Sequence, residues 1–294
     1  MSVLAPLLAA GPVLIDGGLS TQLEAMGHDL DDPLWTARVL IERPEVVTAA
    51  HRAFHTAGAQ VAITASYQVS REGFRAVGLT DADADAALRA SVSAARQAGC
   101  EIVAASVGPY GAITHDGAEY RGRYGRSIDE LASFHAERIA VLVDAGPDLL
   151  AVETIPDAEE MAAIAQVLQS HPDVPVWCAF TAADGATLCA GHAIEDAVRI
   201  ATACPSVMAV GINCTGPEHV PELIVRIAAT TRLPVIAYPN AGGTWDAASG
   251  TWTEPSTEIA EVGTWLEAGA HIVGGCCGTD AVAIATFAQG LSTR

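Results

Sequence analysis

Three cysteines late in the chain have a type and spacing suited to chemistry. Cys214 ends the run "GINC" (211–214), and Cys276 and Cys277 stand side by side in "VGGCCGT" (273–279), some 60 residues further on. Neighbouring cysteines make a poor disulfide with each other, because disulfide geometry wants the Cα atoms farther apart than one peptide link allows. The glycines at 274, 275 and 278 would let the chain turn so that both thiolates face one point. Three thiolates at adjacent strand ends make a soft-metal site, and zinc takes thiolates at roughly 2.3 Å in a tetrahedron. No fourth protein ligand stands out: His271 lies inside an apolar run, and His192 and His219 fall in loop or helix. Three ligands and an open position mean that something from outside binds the ion. One Zn2+ per chain is therefore the expected cofactor. A zinc held by three thiolates is a poor Lewis acid for hydrolysis, yet it holds an incoming thiol as thiolate, against a free thiol pKa of about 8.5. The implied substrate is a thiol presented as a nucleophile.

Two acids suggest what else that substrate carries. Asp16 opens "DGG", where Gly17 and Gly18 would let a ligand approach the backbone, and Glu153 sits in "ETIPD". Two carboxylates at neighbouring rim positions suit an ammonium group, and a small amino-acid thiol meets both demands. Thr64 and Ser66 in "TASYQ" and Asn213 beside Cys214 follow apolar runs in the same way and are assigned to the same substrate pocket. Cys100, Cys178, Cys189 and Cys204 read as small buried hydrophobes. Seven scattered cysteines suit free thiols in a reducing cytoplasm better than a disulfide framework.

These residues need a scaffold that brings distant segments together. Eight short apolar runs punctuate the chain: 13–16, 59–64, 101–108, 147–154, 174–181, 206–214, 233–240 and 270–278. Each is nearly continuous Val, Ile and Ala, as strands covered on both faces should be. Helical patterns follow at about 43–58, 83–98, 129–145, 157–170, 192–203, 217–230, 257–268 and 280–290. The phrases "TAGA", "QAGC", "DAGP" and "EAGA" each place a glycine just before the next run. Eight β-then-α units predict a single α/β domain over 1–294, a (β/α)8 TIM barrel, with a doubly wound open sheet as the rival. In such a barrel the working groups sit where strands end, on one rim.

Composition narrows the partners. Half of the 294 residues are apolar and 17% are charged, so a large core is easily built. The net charge of −20, with arginine supplying all fifteen basic residues, argues against nucleic acid and anionic membranes and would attract cations. No apolar run reaches the roughly 20 residues of a membrane span. The start, "MSVLAPLLAAGPVLIDGG", lacks a basic leader and runs straight into the first strand, so it is read as domain rather than signal peptide. Oligomeric state is left open.

The chain resembles the homocysteine S-methyltransferase family, in the branch using S-methylmethionine or S-adenosylmethionine. The likeness is carried by "LIDGGLSTQLE", "DDPLWTARVLIERPE", "ITASYQ", "VGPYGA", "EYRGRY", "ETIPDAEE", "GINCT", "YPNAG" and "VGGCCGT". It implies a (β/α)8 barrel, zinc on Cys214, Cys276 and Cys277, and homocysteine bound through its amine by Asp16 and Glu153. It further implies a cationic sulfonium methyl donor, for which Trp35, Tyr67 and Tyr110 could offer aromatic faces. Asn240 of "YPNAG" is placed in the same donor pocket. The chain ends 17 residues after Cys277, so neither a cobalamin nor a folate module is expected. Two departures from the family pattern touch the donor side: Gly278 where arginine is common, and Ala241 and Gly243 in the loop after the seventh run. Two other readings stay open. One is a thiol-redox or sensor barrel with a vicinal Cys276–Cys277 disulfide. The other is a barrel lyase using Asp16 and Glu153, though the lack of any lysine excludes a Schiff-base version.

Overall fold

Eight parallel strands close into a barrel in this computed structural model, which describes residues 3–242, 244–246, 251–253 and 262–292. In chain order the strands are β1 (Val13–Leu14), β2 (Val61–Ile63), β3 (Ile102–Val107), β4 (Leu149–Ile155), β5 (Val176–Phe180), β6 (Val207–Asn213), β7 (Val235–Tyr238), β8 (Thr244–Asp246), β9 (Thr251–Thr253) and β10 (Ala270–Val273). The barrel order is β1-β10-β7-β6-β5-β4-β3-β2. The bridge Ile15–Val61 and the bonds Gln60 N to Leu14 O (2.8 Å) and Asp16 N to Val61 O (3.2 Å) join its two ends. The open-sheet rival is thereby set aside.

The strand runs look continuously apolar because alternate residues enter two different cores. Val13, Ile15, Val61, Ile102, Leu149, Trp177 and Ile272 fill the barrel interior. Leu14, Val103, Leu150, Val152, Val210 and Val273 pack outward against the helices. Each such side chain taken fully from water contributes about 1.5–3 kcal/mol, so even the two-residue β1 is firmly held. The N-terminal segment forms a short helix, Ala5–Ala10, rather than leading directly into a strand. Leu4, Leu7 and Leu8 join the interior cluster there and cover one end of the barrel.

The helices that follow the barrel strands fall close to their expected spans: Pro44–Thr56, Asp81–Gln97, Ile128–Asp144, Ala158–Leu168, Ile194–Thr202, Val220–Thr230, Val262–Ala268 and Ala281–Ser292. The stretch 257–261 lies outside the described residues. Local chemistry explains their starts. Thr80 with Asp83, and Ser127 with Glu130, form reciprocal capping boxes. Pro44 occupies the first turn, where its missing N–H costs nothing. Gly58, of "TAGA", has φ 110°, a backbone angle that L side chains resist. Elements within the loops were not foreseen: helices Leu19–Ala25, Thr36–Glu42 and Arg71–Ala76, the 3-10 turns Tyr110–Ile113 and Ala118–Tyr120, and the β8–β9 hairpin. Most of them stand on the rim that carries the cysteines, and there they wall the site.

Candidate active site

The last barrel strand stops at Val273, and the cysteine pair follows in a turn pinned by its neighbours. Cys276 N donates to Pro239 O (2.8 Å), Ala241 N donates to Cys277 O (2.8 Å), and Gly278 N donates to Thr21 Oγ1 (2.9 Å). Gly278 has φ 82°, and a Cβ there would lie 2.6 Å from the Ala241 Cβ. The two departures from the family pattern at 278 and 241 are thus in contact with each other; Gly243 lies outside the described residues. A Cβ on Gly18 would lie 2.5 Å from Cys276 O, while one on Gly17 would collide with the Thr279 carbonyl. The "DGG" glycines therefore let the β1 loop seat against the cysteine turn, besides lining the cavity.

Cys214, at the end of β6, has the unusual φ of 44° for a residue with a side chain. Its N–H donates to Tyr238 O (3.3 Å) and its carbonyl accepts from Thr181 Oγ1 (3.0 Å), which together hold that conformation. The sulfurs of Cys214, Cys276 and Cys277 lie within 4.8 Å of one another. Cys214 and Cys276 are joined as a disulfide, with Cα atoms 5.6 Å apart, and Cys277 Sγ stands 3.8 Å from Cys214 Sγ. Cys276 thus pairs across the barrel rim, not with its neighbour, which corrects the vicinal-disulfide alternative. Among the described residues no histidine or carboxylate joins the trio. The donor set fits zinc: a tetrahedron with 2.3 Å metal–sulfur bonds has sulfur–sulfur edges of about 3.8 Å, the spacing of Cys214 and Cys277. Reduced, the trio is a soft-metal site; oxidised, it lacks two of its ligands.

The sulfurs open into a cavity of about 850 Å³, large enough for two small substrates. Gly17, Gly18, Thr64, Glu153, Asn213, Trp35 and Tyr67 line it together with the three cysteines. Glu153 is buried, with Ser106 Oγ donating to Oε1 and Tyr238 Oη donating to Oε2 (3.1 Å). Burial pushes its carboxyl up to about 7, against the pull of those two hydroxyls and of the Arg138 charge. Asp16 lies just beneath the lining. Its Oδ2 accepts from Ile63 N (2.8 Å), and its Oδ1 is buried with no partner among the described residues. Burial raises it well above the usual carboxylate range, and the like charge of Glu153 adds to the rise. Thr64 Oγ1 meets Ser66 Oγ (2.8 Å) and accepts from Ser106 N (3.0 Å), which ties the ends of β2 and β3.

Four expected residues are absent from the cavity lining, Asp16 as just described and three others. Ser66 turns inward and donates to Ser106 O (2.7 Å). Tyr110 packs with Tyr124 and Phe134 in a separate cluster, its hydroxyl donating to Glu72 Oε1 (2.9 Å). Asn240 folds its Oδ1 onto Gly242 N (3.0 Å) and shapes its own loop. Trp35 and Tyr67 do face the cavity, in an edge contact with ring centroids 6.4 Å apart. Tyr120, not singled out from the sequence, also lines it, as Cys277 does. Burial pushes the Cys277 thiol up to about 11, against the pull of the Tyr120 hydroxyl. Five described non-glycine residues have φ in the left-handed range, and four of them (Trp35, His115, Thr154 and Cys214) line this one cavity. Such residues persist only where surroundings over-determine them, and they cluster at functional sites.

A closed parallel barrel with three cysteine sulfurs and the buried Glu153 around one rim cavity has the architecture of an enzyme. The model of the homocysteine S-methyltransferase family matches residues 13–291, and the chain belongs to that family. A homocysteine S-methyltransferase of Escherichia coli (strain K12) is 42% identical over 290 residues, 94% of either chain. The metallated crystal form of the homocysteine methyltransferase MmuM from Escherichia coli superposes with a TM-score of 0.87 at 39% identity, covering 99% of both chains. Its oxidized form gives 0.86 at 39% identity over 95% of both.

Proposed function

We propose that the protein transfers a methyl group from a sulfonium donor, S-methylmethionine or S-adenosylmethionine, to the thiol of L-homocysteine, giving methionine. One zinc ion on Cys214, Cys276 and Cys277 serves the reaction, without cobalamin or folate. The observation that carries this reading is the meeting of three sulfurs within 4.8 Å in the same cavity as Glu153. Family membership and the metallated relative support it.

Bound there, zinc would lower the pKa of the substrate thiol so that it is a thiolate at neutral pH. The chain's own residues do the positioning. Glu153, braced by Ser106 and Tyr238, and the unpartnered Oδ1 of Asp16 receive the ammonium of homocysteine. An ammonium between them offsets the burial cost that raises both carboxyls. Trp35 and Tyr67 offer ring faces to the sulfonium, whose positive charge they attract without a hydrogen bond. In the transfer, a lone pair on the homocysteine sulfur forms the new C–S bond. The donor's C–S bond breaks, and its electron pair returns to the donor sulfur, which leaves as a neutral thioether. The thiol proton goes to solvent, so no separate general base is needed. Holding both partners in line is the main catalytic contribution. Thiolate ligation calls for a reducing compartment, and the reading places the enzyme in the cytoplasm. Among the described residues no helix is long and apolar enough to cross a membrane.

Parallel assays of homocysteine with S-methylmethionine, S-adenosylmethionine and betaine, free of cobalamin and folate, test this reading. Methionine formed with a sulfonium donor is the expected result. Turnover with none of them, or undiminished turnover in metal-free protein, contradicts it.

A further inference from the structure

The turn Ala118–Tyr120 carries the "EYRGRY" motif into the cavity, and its glutamate is not absorbed by the account above. Its backbone is fixed: Tyr120 N donates to Gly117 O (3.0 Å), and a Cβ on Gly111 would lie 2.5 Å from both Ala118 C and Glu119 N. The Glu119 side chain lines the cavity with Tyr67, Tyr120 and Trp35. Its Oε2 is buried and has no hydrogen-bond partner among the described residues. The nearest arginine in sequence, Arg121, turns away to Asp116 (2.7 Å). No arginine lines the cavity among the described residues, and the chain has no lysine. A carboxylate walled in this way is costly unless a ligand supplies the opposite charge.

Position decides which ligand. Glu119 shares its stretch of the lining with Trp35, Tyr67 and Tyr120, the aromatic residues suited to a sulfonium. Glu153, at the end of β4, is held by its own hydrogen-bond partners Ser106 and Tyr238. Resting on the proposed methyl transfer, we infer that Glu119 is a specificity residue that binds the positive charge of the donor sulfonium, flanked by Tyr67, Tyr120 and Trp35. The positive charge is lost as the methyl leaves, so Glu119 stabilises the bound donor more than the transition state. It therefore acts on donor affinity rather than on the rate of the chemical step.

The test compares S-methylmethionine with methionine, which lacks only the sulfonium methyl and its charge, by calorimetry on reduced, zinc-loaded protein. Glu119→Gln should weaken S-methylmethionine about tenfold and leave methionine unchanged. In turnover, donor KM should rise about tenfold, with kcat at saturating donor no lower than wild type and homocysteine KM held. Glu119→Asp, which keeps the charge, should retain the preference for S-methylmethionine within about threefold. Unchanged donor affinity in Glu119→Gln, equal weakening of methionine, or a rise in homocysteine KM alone would overturn the assignment. So would an Asp variant as impaired as the Gln variant. Should wild-type protein bind S-methylmethionine but fail to methylate homocysteine, the proposed function fails, and the binding ratio still judges Glu119.

Discussion

Asn213 grips Thr154 at both ends: its Oδ1 accepts from Thr154 N (2.7 Å) and its Nδ2 donates to Thr154 Oγ1 (2.7 Å). Asn213 precedes Cys214 and Thr154 follows Glu153, so this pair links the sulfur centre on β6 to the acid on β4. Thr154 has φ 59°, and the two bonds help to hold that conformation. Replacing Asn213 by alanine removes both and leaves a buried N–H without its partner. A loss of about 2–4 kcal/mol in urea unfolding is expected. Homocysteine KM should rise about tenfold with zinc content kept. An unchanged KM would show that Glu153 is placed by other contacts.

The buried acid makes binding depend on pH. Glu153 must be ionised to receive an ammonium, and its carboxyl stands at about 7 in the fold against an ordinary 4.5. Homocysteine KM should therefore fall as pH rises through about 7. Stability runs the other way. The folded state binds the extra proton between pH 4.5 and 7, so Glu153 opposes folding progressively as pH rises across that window. Glu153→Gln should bind homocysteine poorly yet melt higher than wild type at pH 8, the difference vanishing near pH 4. Equal melting temperatures at pH 8 would argue against a carboxylate strained by burial.

Gly18→Ala aims at the contact between the β1 loop and the cysteine turn. The new Cβ, 2.5 Å from Cys276 O, forces one backbone away from the other. Zinc affinity should drop about 10-fold to 100-fold, the range seen when groups supporting a metal ligand are lost. Titration against a chelator of known affinity reads this directly; wild-type affinity would show that the turn tolerates the shift.

Two sulfurs that can bond each other cannot at the same time hold a metal. Protein oxidised to the Cys214–Cys276 disulfide should bind no zinc and, once denatured, offer five thiols to a thiol reagent. After reduction it should offer all seven and take up one zinc. Oxidised protein retaining a full equivalent of zinc would contradict the shared role of these sulfurs.

The barrel was legible because each strand feeds two cores and so reads as an unbroken apolar run, closed by a helix with its own caps. The sulfur centre was legible too, since adjacent cysteines behind two glycines have few structural uses. What stayed hidden depends on loop direction. Ser66 and Tyr110 follow strands as rim residues should, yet the chain turns one inward and the other outward. Arg138 is the plainest case. It sits in helix Ile128–Asp144 as an ordinary arginine would, but its buried guanidinium donates to Gly108 O (3.0 Å), Ser66 O (2.9 Å) and Tyr67 O (2.6 Å), clamping the β2 and β3 loops. No periodicity announces a side chain that crosses from one layer to the rim. Glu119 and Tyr120 likewise come from a 3-10 turn inside a loop, where no repeat marks the cavity-facing residue.

Sulfur coordination at zinc, counted by X-ray absorption before and after L-homocysteine is added to reduced protein, bears most directly on the central claim. The expected count is three sulfurs from Cys214, Cys276 and Cys277, rising to four with homocysteine. Three sulfurs and an unmoved protein ligand in both states, or a count that homocysteine leaves unchanged, would contradict it.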